Sequence, residues 1–336
     1  MSTSRAVITG AAGVGPQQPA TSTPDRAPGS VRRTSSIDVA RTAGAAAPAE
    51  IVAVARDFAT DATGSGRVAA TRTLRASLLP TLELHAIATE PAAPEIAALL
   101  GRRVAAGFRT AVVEAVPDAR RAADLLYLLL DDLPVATLVS GYALQRAGLV
   151  PDMPRELYVP TVDLCAGWQA GGTLMQVIET NGMPPMTIGP AAPLLERADD
   201  PESWHELPVA LARTVRRRRR IDLSRDGEQL NVDAMFRDSH FDDGGAESVV
   251  HEYALRATID PVTLEITGAA ATPHVLPYVE CPTAAQSATR LVGLRLDDAR
   301  DRVRKEFVGT STCTHLNDLL RSLEDVRGML AGLGEH

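Results

Sequence analysis

Two stretches of this sequence carry the same landmark residues in the same order. The early stretch contains Arg56-Asp57-Phe58, Leu74-Arg75-Ala76 and Leu82-Glu83-Leu84, and the late stretch contains Phe236-Arg237-Asp238, Leu255-Arg256-Ala257 and Leu264-Glu265-Ile266. The interval between matching landmarks stays almost constant, which chance does not produce over so many positions. Self-similarity of this kind is typical of a chain that folds as copies of one unit. We therefore expect an internal duplication.

Each copy begins with short β-type segments separated by turn residues and continues with helical patterns. The sequence therefore predicts an α+β protein that consists of two strand-meander-plus-helices repeats. We expect the first, degenerate repeat at residues 31–150, a Pro/Gly-rich packed connector at 151–215 and the second, site-bearing repeat at 216–330. Residues 1–30 combine Pro, Gly, Ser and Thr without an apolar period, which predicts a disordered tail.

Composition limits the partners of the chain. A net charge of −8 and a pI near 5.4 argue against general nucleic-acid binding, which needs a basic face. The run Arg216–Arg220 is the exception, and it fits either an edge strand whose alternate arginines pair with carboxylates on both faces or an anion patch. Three cysteines do not make a disulfide framework, and no apolar run is long enough to span a bilayer. We expect a soluble cytoplasmic protein without membrane partners, whose oligomeric state the sequence does not determine.

The duplication also separates scaffold from candidate chemistry. Arg237 and Asp238 have counterparts in both copies, so they are interpreted as structural, whereas several titratable groups occur only in the late copy. The catalytic candidates are Glu280, His315, His240, Glu252 and His251, and the substrate-binding candidates are Arg237, Tyr278, Cys313, Asn317 and Trp168.

Cys313 and His315 lie where a Ser/Thr cluster gives way to an apolar-periodic segment, which predicts a helix start capped by Thr312 or Thr314. The positive end of a helix dipole lowers a cysteine pKa and favours neutral imidazole. A buried capping turn without a catalytic role is the alternative.

Glu280 lies in an apolar context, and together with His240 and the His251-Glu252 pair it could provide a general acid and a general base. A buried ion pair with Arg237 or Arg256 is the other interpretation. Cys281, Cys313, His315 and one of the two other histidines have the chemistry of zinc ligands, but no Cys-x-x-Cys pair is present. We therefore expect no metal or other cofactor.

Several segments resemble a bacterial family catalogued only as domain of unknown function 2889. They are Cys165-Ala166-Gly167-Trp168, Gly189-Pro190-Ala191-Ala192-Pro193, Arg219-Arg220-Ile221-Asp222-Leu223, Phe236-Arg237-Asp238-Ser239-His240, His251-Glu252-Tyr253, Leu276–Pro282 and Cys313–Asp318. The resemblance extends over residues 31–330 and implies no activity or catalytic residue.

The expected function is therefore based on the candidate residues. It is cofactor-independent acid–base catalysis on a small, largely apolar aromatic or acyl molecule, with a lyase favoured over a hydrolase or isomerase. One such reaction, in aromatic compound catabolism, is the release of formaldehyde from a lignin-type aromatic dimer. The alternative is a non-catalytic binding or accessory protein whose polar cluster is structural.

Overall fold

A computed structural model describes residues 7–8, 13–149, 159 and 161–333. The strands are β1 (Val7–Ile8), β2 (Ser30–Ala40), β3 (Ala49–Thr60), β4 (Gly66–Leu78), β5 (Leu84–Glu90), β6 (Met186–Thr187), β7 (Thr214–Asp226), β8 (Gln229–Phe241), β9 (Glu247–Ile259) and β10 (Ile266–Val275). The α-helices are α1 (Phe108–Ala115), α2 (Pro117–Ala122), α3 (Leu125–Arg146), α4 (Thr173–Asn181), α5 (Leu296–Glu306), α6 (Thr314–Arg321) and α7 (Val326–Met329). Shorter 3-10 helices cover Pro94–Leu99, Ala166–Trp168, Pro201–Ser203, Cys281–Leu291, Gly309–Ser311, Ser322–Asp325 and Leu330–Gly332.

Eight strands form one antiparallel sheet in the order β10-β9-β8-β7-β2-β3-β4-β5. Each half of the sheet is a four-stranded meander, and the two meanders meet where β2 pairs with β7. β1 and β6 form a separate parallel pair. The α+β class predicted from the sequence is confirmed.

The two meanders share backbone details at the turn after their third strand. Leu82 and Leu264 both have positive φ angles, 67° and 56°. Leu84 N donates to Arg102 O, and Ile266 N donates to Leu294 O, each over 2.9 Å. The internal duplication stays a prediction, and these matches support it.

The two faces of the sheet are covered differently. Helix α3 lies across β2 and β7 at the centre of one face, and its apolar residues join the core of the first half. This 22-residue helix is also long and apolar enough for a membrane span, but 78% of its apolar window is buried within the protein, as in the core helix of a soluble protein. On the opposite face, Trp204 and His205 of the connector pack against the central strands.

The Arg216–Arg220 run lies in β7, and its side chains alternate between the two faces. On the connector face, Arg216 donates to both oxygens of Asp38 at 2.7 Å. On the helical face, Arg219 donates to Asp132 of α3 at 2.7 to 3.0 Å. Pairing with carboxylates on both faces agrees with one of the two interpretations of this run, but β7 is a central strand and not the expected edge strand.

The predicted disordered tail is wrong for residues 13–30. Thr23 is buried and donates from Oγ1 to Leu195 O over 2.6 Å, and Arg26 forms a bidentate ion pair with Asp200. Ser30 already belongs to β2. Polar residues stay ordered here because the connector and the sheet satisfy their hydrogen bonds. Residues 1–6 and 9–12 lie outside the described residues.

The central ion pairs generate a stability prediction. Replacing Asp132→Asn leaves the buried Arg219 guanidinium without its carboxylate, and loss of one partner of a buried pair costs about 3–5 kcal/mol. The exposed pair of Arg213 and Asp243 provides the control, and Asp243→Asn should leave the denaturant midpoint unchanged. Equal midpoints for the two variants would show that the central pairs do not support the fold.

Candidate functional site

A cavity of about 390 Å³ lies between α3, the connector and the second half of the sheet. Its wall is mainly apolar and aromatic. The lining residues are Leu138, Val139, Gly141, Tyr142, Gln145, Thr161, Leu164, Cys165, Gly167, Trp168, Pro185, Met186, Thr187, Val250, His251, Leu276, Pro277, Tyr278, Cys281, Cys313, Thr314 and His315. A concave, largely apolar site of this size fits a small organic ligand.

Three neighbouring strands place charged and titratable side chains side by side behind this wall. Arg217 of β7 is in register with Asp238 of β8, and Asp238 is in register with His251 of β9. Residues that are directly opposite on adjacent strands project from the same face of the sheet. Asp238 Oδ2 lies 3.8 Å from His251 Nδ1, and Asp238 Oδ1 lies 3.4 Å from Arg217 Nη1.

These buried groups face one another at 3.4 to 3.8 Å and not in close ion pairs. Both Asp238 oxygens, His251 Nδ1 and all three Arg217 nitrogens have no hydrogen bond within the described part of the chain. In the first half, Arg33 and Asp57 occupy the matching positions and form a bidentate pair at 2.7 and 2.8 Å. Ala70 of β4 is opposite Asp57, at the place that His251 takes beside Asp238. The second half of the sheet therefore keeps open the contact that the first half closes.

His315, in the first turn of α6, adds a second imidazole to the cavity wall. Its ring stacks on that of His251, with centroids 3.9 Å apart and an interplanar angle of 19°. Burial, together with the charge of Arg217, lowers the pKa of His315 to about 3, and burial next to His315 and Arg217 lowers the pKa of His251. Both rings are therefore neutral bases near pH 7, as the sequence predicts for His315.

Asp238 has the opposite tendency. Burial raises the pKa of its carboxyl to about 6, against the attraction of Arg217. A carboxylate whose pKa is shifted towards neutrality beside a neutral imidazole is typical of sites that transfer protons. The site can therefore accept or release a proton near neutral pH.

Donor atoms of Asp238, His251 and His315 lie within 4.8 Å of one another, which is close enough to suggest a metal site. The stacking of the His251 and His315 rings, however, is unfavourable for binding one metal ion. Imidazole lone pairs lie in the ring planes, and two nearly parallel planes do not meet at the roughly 2.1 Å that a zinc–nitrogen bond requires. Binding one ion to both rings would require a ring to turn. The possible zinc ligands named from the sequence are a different group of residues, since they include Cys281 and Cys313 and omit Asp238.

Three free thiols, those of Cys165, Cys281 and Cys313, are buried in the cavity wall. The sequence-based expectation of a lowered cysteine pKa is wrong for Cys313, because burial raises its pKa to about 12 and outweighs the helix end. Cys313 is itself the N-cap of α6, and no side chain caps this helix, in contrast to the predicted Thr312 or Thr314 cap.

Five of the predicted site residues line the cavity, namely His251, His315, Tyr278, Cys313 and Trp168. His240 lies next to it, because its ring meets that of Tyr142 edge to face at 5.3 Å. Burial and the nearby Arg146 lower the pKa of His240 to about 4. Neither of its ring nitrogens has a partner among the residues described.

The other four predicted residues have contacts elsewhere. Glu252 pairs with Arg237 and accepts from Ala20 N, so both side chains hold the N-terminal segment against the sheet. Asn317 donates to Phe307 O over 2.8 Å.

Glu280 accepts from the backbone N and the Oγ1 of Thr173 at the start of α4, at 2.6 and 2.8 Å. Glu280 does not form the ion pair with Arg237 or Arg256 that was the other interpretation of the sequence. Arg237 pairs with Glu252, and Arg256 contacts Asp233.

Asp238, Arg217 and Tyr142 were missed as site residues. From the sequence, Asp238 is interpreted as structural because Asp57 matches it. That interpretation does not hold, because Asp238 lies opposite His251 whereas Asp57 lies opposite Ala70. The available signal was the strand register, which places the late-copy residue His251 opposite Asp238.

A family model described as protein of unknown function (DUF2889) matches residues 215–328. Over these residues the chain is similar to the DUF2889 family. The matched DUF2889 residues run from β7 to α7 and include Arg217, Asp238, His251 and His315, whereas the first half lies outside them. No curated protein and no solved structure matches the chain.

The buried histidines predict how stability depends on pH. Burial lowers the pKa of His205 and His315 to about 3 and of His240 to about 4, all below the unfolded value of about 6.5. Their contribution to stability is complete above pH 6.5 and is lost as the pH falls. Asp238 acts in the opposite sense, since its contribution is complete below pH 3.8 and is lost as the pH rises through about 6.

His251 adds to these three histidines, and Asp38 and Asp325 add to Asp238, because burial shifts their pKa values in the same directions. Because four histidines outweigh three carboxyls, the free energy of unfolding should decrease between pH 6.5 and 5, by at most about 1.4 kcal/mol per pH unit for each histidine. Urea titrations at the two pH values measure this slope. In the His315→Asn variant, one histidine fewer takes up a proton on unfolding, so the slope of the free energy of unfolding with pH should be smaller by the contribution of one histidine. An unchanged slope in this variant would contradict the neutral, buried state of His315.

Proposed function

We propose that the protein is a cofactor-independent enzyme that performs acid–base chemistry on a small, largely apolar molecule bound in the cavity, and that it belongs to the lyases. The observation that carries this proposal is the open contact between Arg217 and Asp238, beside His251 at the cavity wall. A buried polar group without a partner costs about 1–3 kcal/mol. The matching Arg33–Asp57 pair demonstrates that the same fold can close this contact, so the open form in the late copy supports a chemical use.

The proposed roles follow from the positions of the side chains. The Asp238 carboxylate faces His251 Nδ1 and favours the tautomer with its proton on that nitrogen, which leaves Nε2 as the basic nitrogen. His251 accepts a proton from a substrate hydroxyl. The protonated His251 then returns the proton to the leaving oxygen, and His315, stacked against it and also in the cavity wall, is a neutral group that can form a hydrogen bond with the substrate.

The specific lyase reaction that we propose is the release of formaldehyde from an aromatic dimer. Loss of the hydroxyl proton from a CH₂OH group lets the adjacent C–C bond break, and formaldehyde leaves. The freed electron pair forms a C=C bond and expels an oxygen substituent, which takes up the proton. The proton is thus returned, and no redox partner is needed. The aromatic side chains Trp168, Tyr278 and Tyr142 suit such a substrate.

A non-catalytic accessory protein is the second candidate. It is favoured by the contacts of Glu252, Arg237, Glu280 and Asn317, all of which hold segments of the fold together. In that case the Asp238 cluster would stabilise the fold as well.

A matched pair of variants separates the two functions. Asp238→Asn removes a carboxylate whose ionised form is disfavoured by burial, so the denaturant midpoint at pH 7 should stay the same or rise. Asp57→Asn breaks the closed pair with Arg33 and should cost about 3 kcal/mol or more. A loss for Asp238→Asn as large as that for Asp57→Asn would support the accessory protein.

Turnover is tested by incubating the purified protein with a panel of aromatic alcohols and acyl compounds and analysing products, formaldehyde included, by mass spectrometry. Asp238→Asn and His251→Asn should each reduce the rate by at least about 100-fold, in the range of general acid–base catalysis. Glu280→Gln, at the start of α4, is the control and should retain the rate. Unchanged turnover in both site variants would refute the assignment.

A further inference from the structure

The described residues that line the cavity include no Lys, Arg, Asp or Glu. The polar lining groups are neutral hydrogen-bonding side chains, such as Gln145, Thr161, Thr187 and Thr314. Among the titratable lining groups, burial lowers the pKa of both His251 and His315, and it raises the pKa of Cys281, Cys313 and Tyr142. Near pH 7 the described part of the cavity wall therefore carries no formal charge.

On the sheet side of the cavity, the charged groups lie behind the wall and already face one another. Arg217 is within 4.0 Å of carboxylate oxygens of Asp132, Asp238 and Asp318. A ligand ion in the cavity would have to lose its hydration without gaining a counter-ion from the described lining residues, and an unpaired buried charge is strongly unfavourable.

The entrance of the cavity is apolar as well. Leu138 of α3 and Leu164 of the connector line the cavity and are 68% and 51% exposed. Large apolar side chains at such exposure favour the approach of an apolar molecule. Trp168, Tyr278 and Tyr142 then offer ring faces and edges to an aromatic ligand.

We infer that this cavity selects uncharged aromatic molecules that carry hydroxyl or ether groups, and that it excludes their carboxylate, phosphate and ammonium counterparts. The neutral hydrogen-bonding side chains of the wall recognise the oxygen substituents. This inference rests on the proposed function for its site and names the substrate class of that site, but binding can be measured without turnover.

Two ligands of equal shape test the inference, namely para-biphenylmethanol and para-biphenylcarboxylate, titrated calorimetrically at pH 7. The alcohol should bind, and the carboxylate should bind at least about tenfold more weakly because its charge has no partner. In Trp204→Phe, Trp168 is the one remaining tryptophan. A change in its fluorescence on addition of the alcohol should place the ligand in the cavity.

A charge introduced into the wall should reverse the preference. Gln145→Arg provides a partner for the carboxylate and should narrow or invert the ratio of the two dissociation constants, whereas the uncharged control Gln145→Met should keep it. Leu138→Arg, at an exposed position, supplies the charge at the entrance if Gln145→Arg does not fold.

Equal dissociation constants in the unaltered protein, no binding of the alcohol, or an unchanged ratio in the folded arginine variants would each overturn the inference. Its failure can be distinguished from failure of the proposed function. Selective binding of the alcohol without turnover of any compound would refute the enzyme alone, and turnover of a carboxylate substrate that requires Asp238 would refute the selectivity alone.

Discussion

The pairing of β2 with β7 is the contact on which the rest of the structure depends. It joins two meanders into one eight-stranded sheet, and it places arginines of β7 where both faces are covered. Buried guanidinium groups are tolerated only when they are paired. Asp38 meets this requirement for Arg216 on the connector face, and Asp132 meets it for Arg219 on the helical face. The Arg219–Asp132 pair therefore ties the helical layer to the central strands by charge, and the Arg218–Glu196 pair does so for the connector.

The same arrangement explains where the candidate site lies. Arg217 projects towards the helical face, as Arg219 does, but no carboxylate approaches it as closely as Asp57 approaches Arg33. His251 and His315 occupy the space beside Asp238, and they separate the charged cluster from an apolar cavity. A reactive polar group at the boundary between an ionic network and an apolar cavity is desolvated yet held in place, which is the environment that acid–base catalysis requires.

The differences between the two halves are chemically specific. At the position of Ala70 in the first half, the second half has His251, and the Arg217–Asp238 pair beside it stays open. The family match covers the second half, where this histidine lies. The first half supplies support, since Tyr142 of its long helix α3 lines the cavity and Asp132 of the same helix faces the arginines.

The sequence by itself determined the α+β class, the two meanders and five of the residues that line the cavity, because strand periodicity and repeated landmarks are local properties of the chain. It also indicated that the arginine run alternates between carboxylates on both faces. Only the tertiary structure decided that β7 is central, that residues 13–30 are ordered and that Glu280 caps α4, since each depends on a partner distant in the chain. The role of Asp238 belongs to this second group. Its sequence context matches that of Asp57, and only the register of β8 with β9 places His251 opposite its carboxylate.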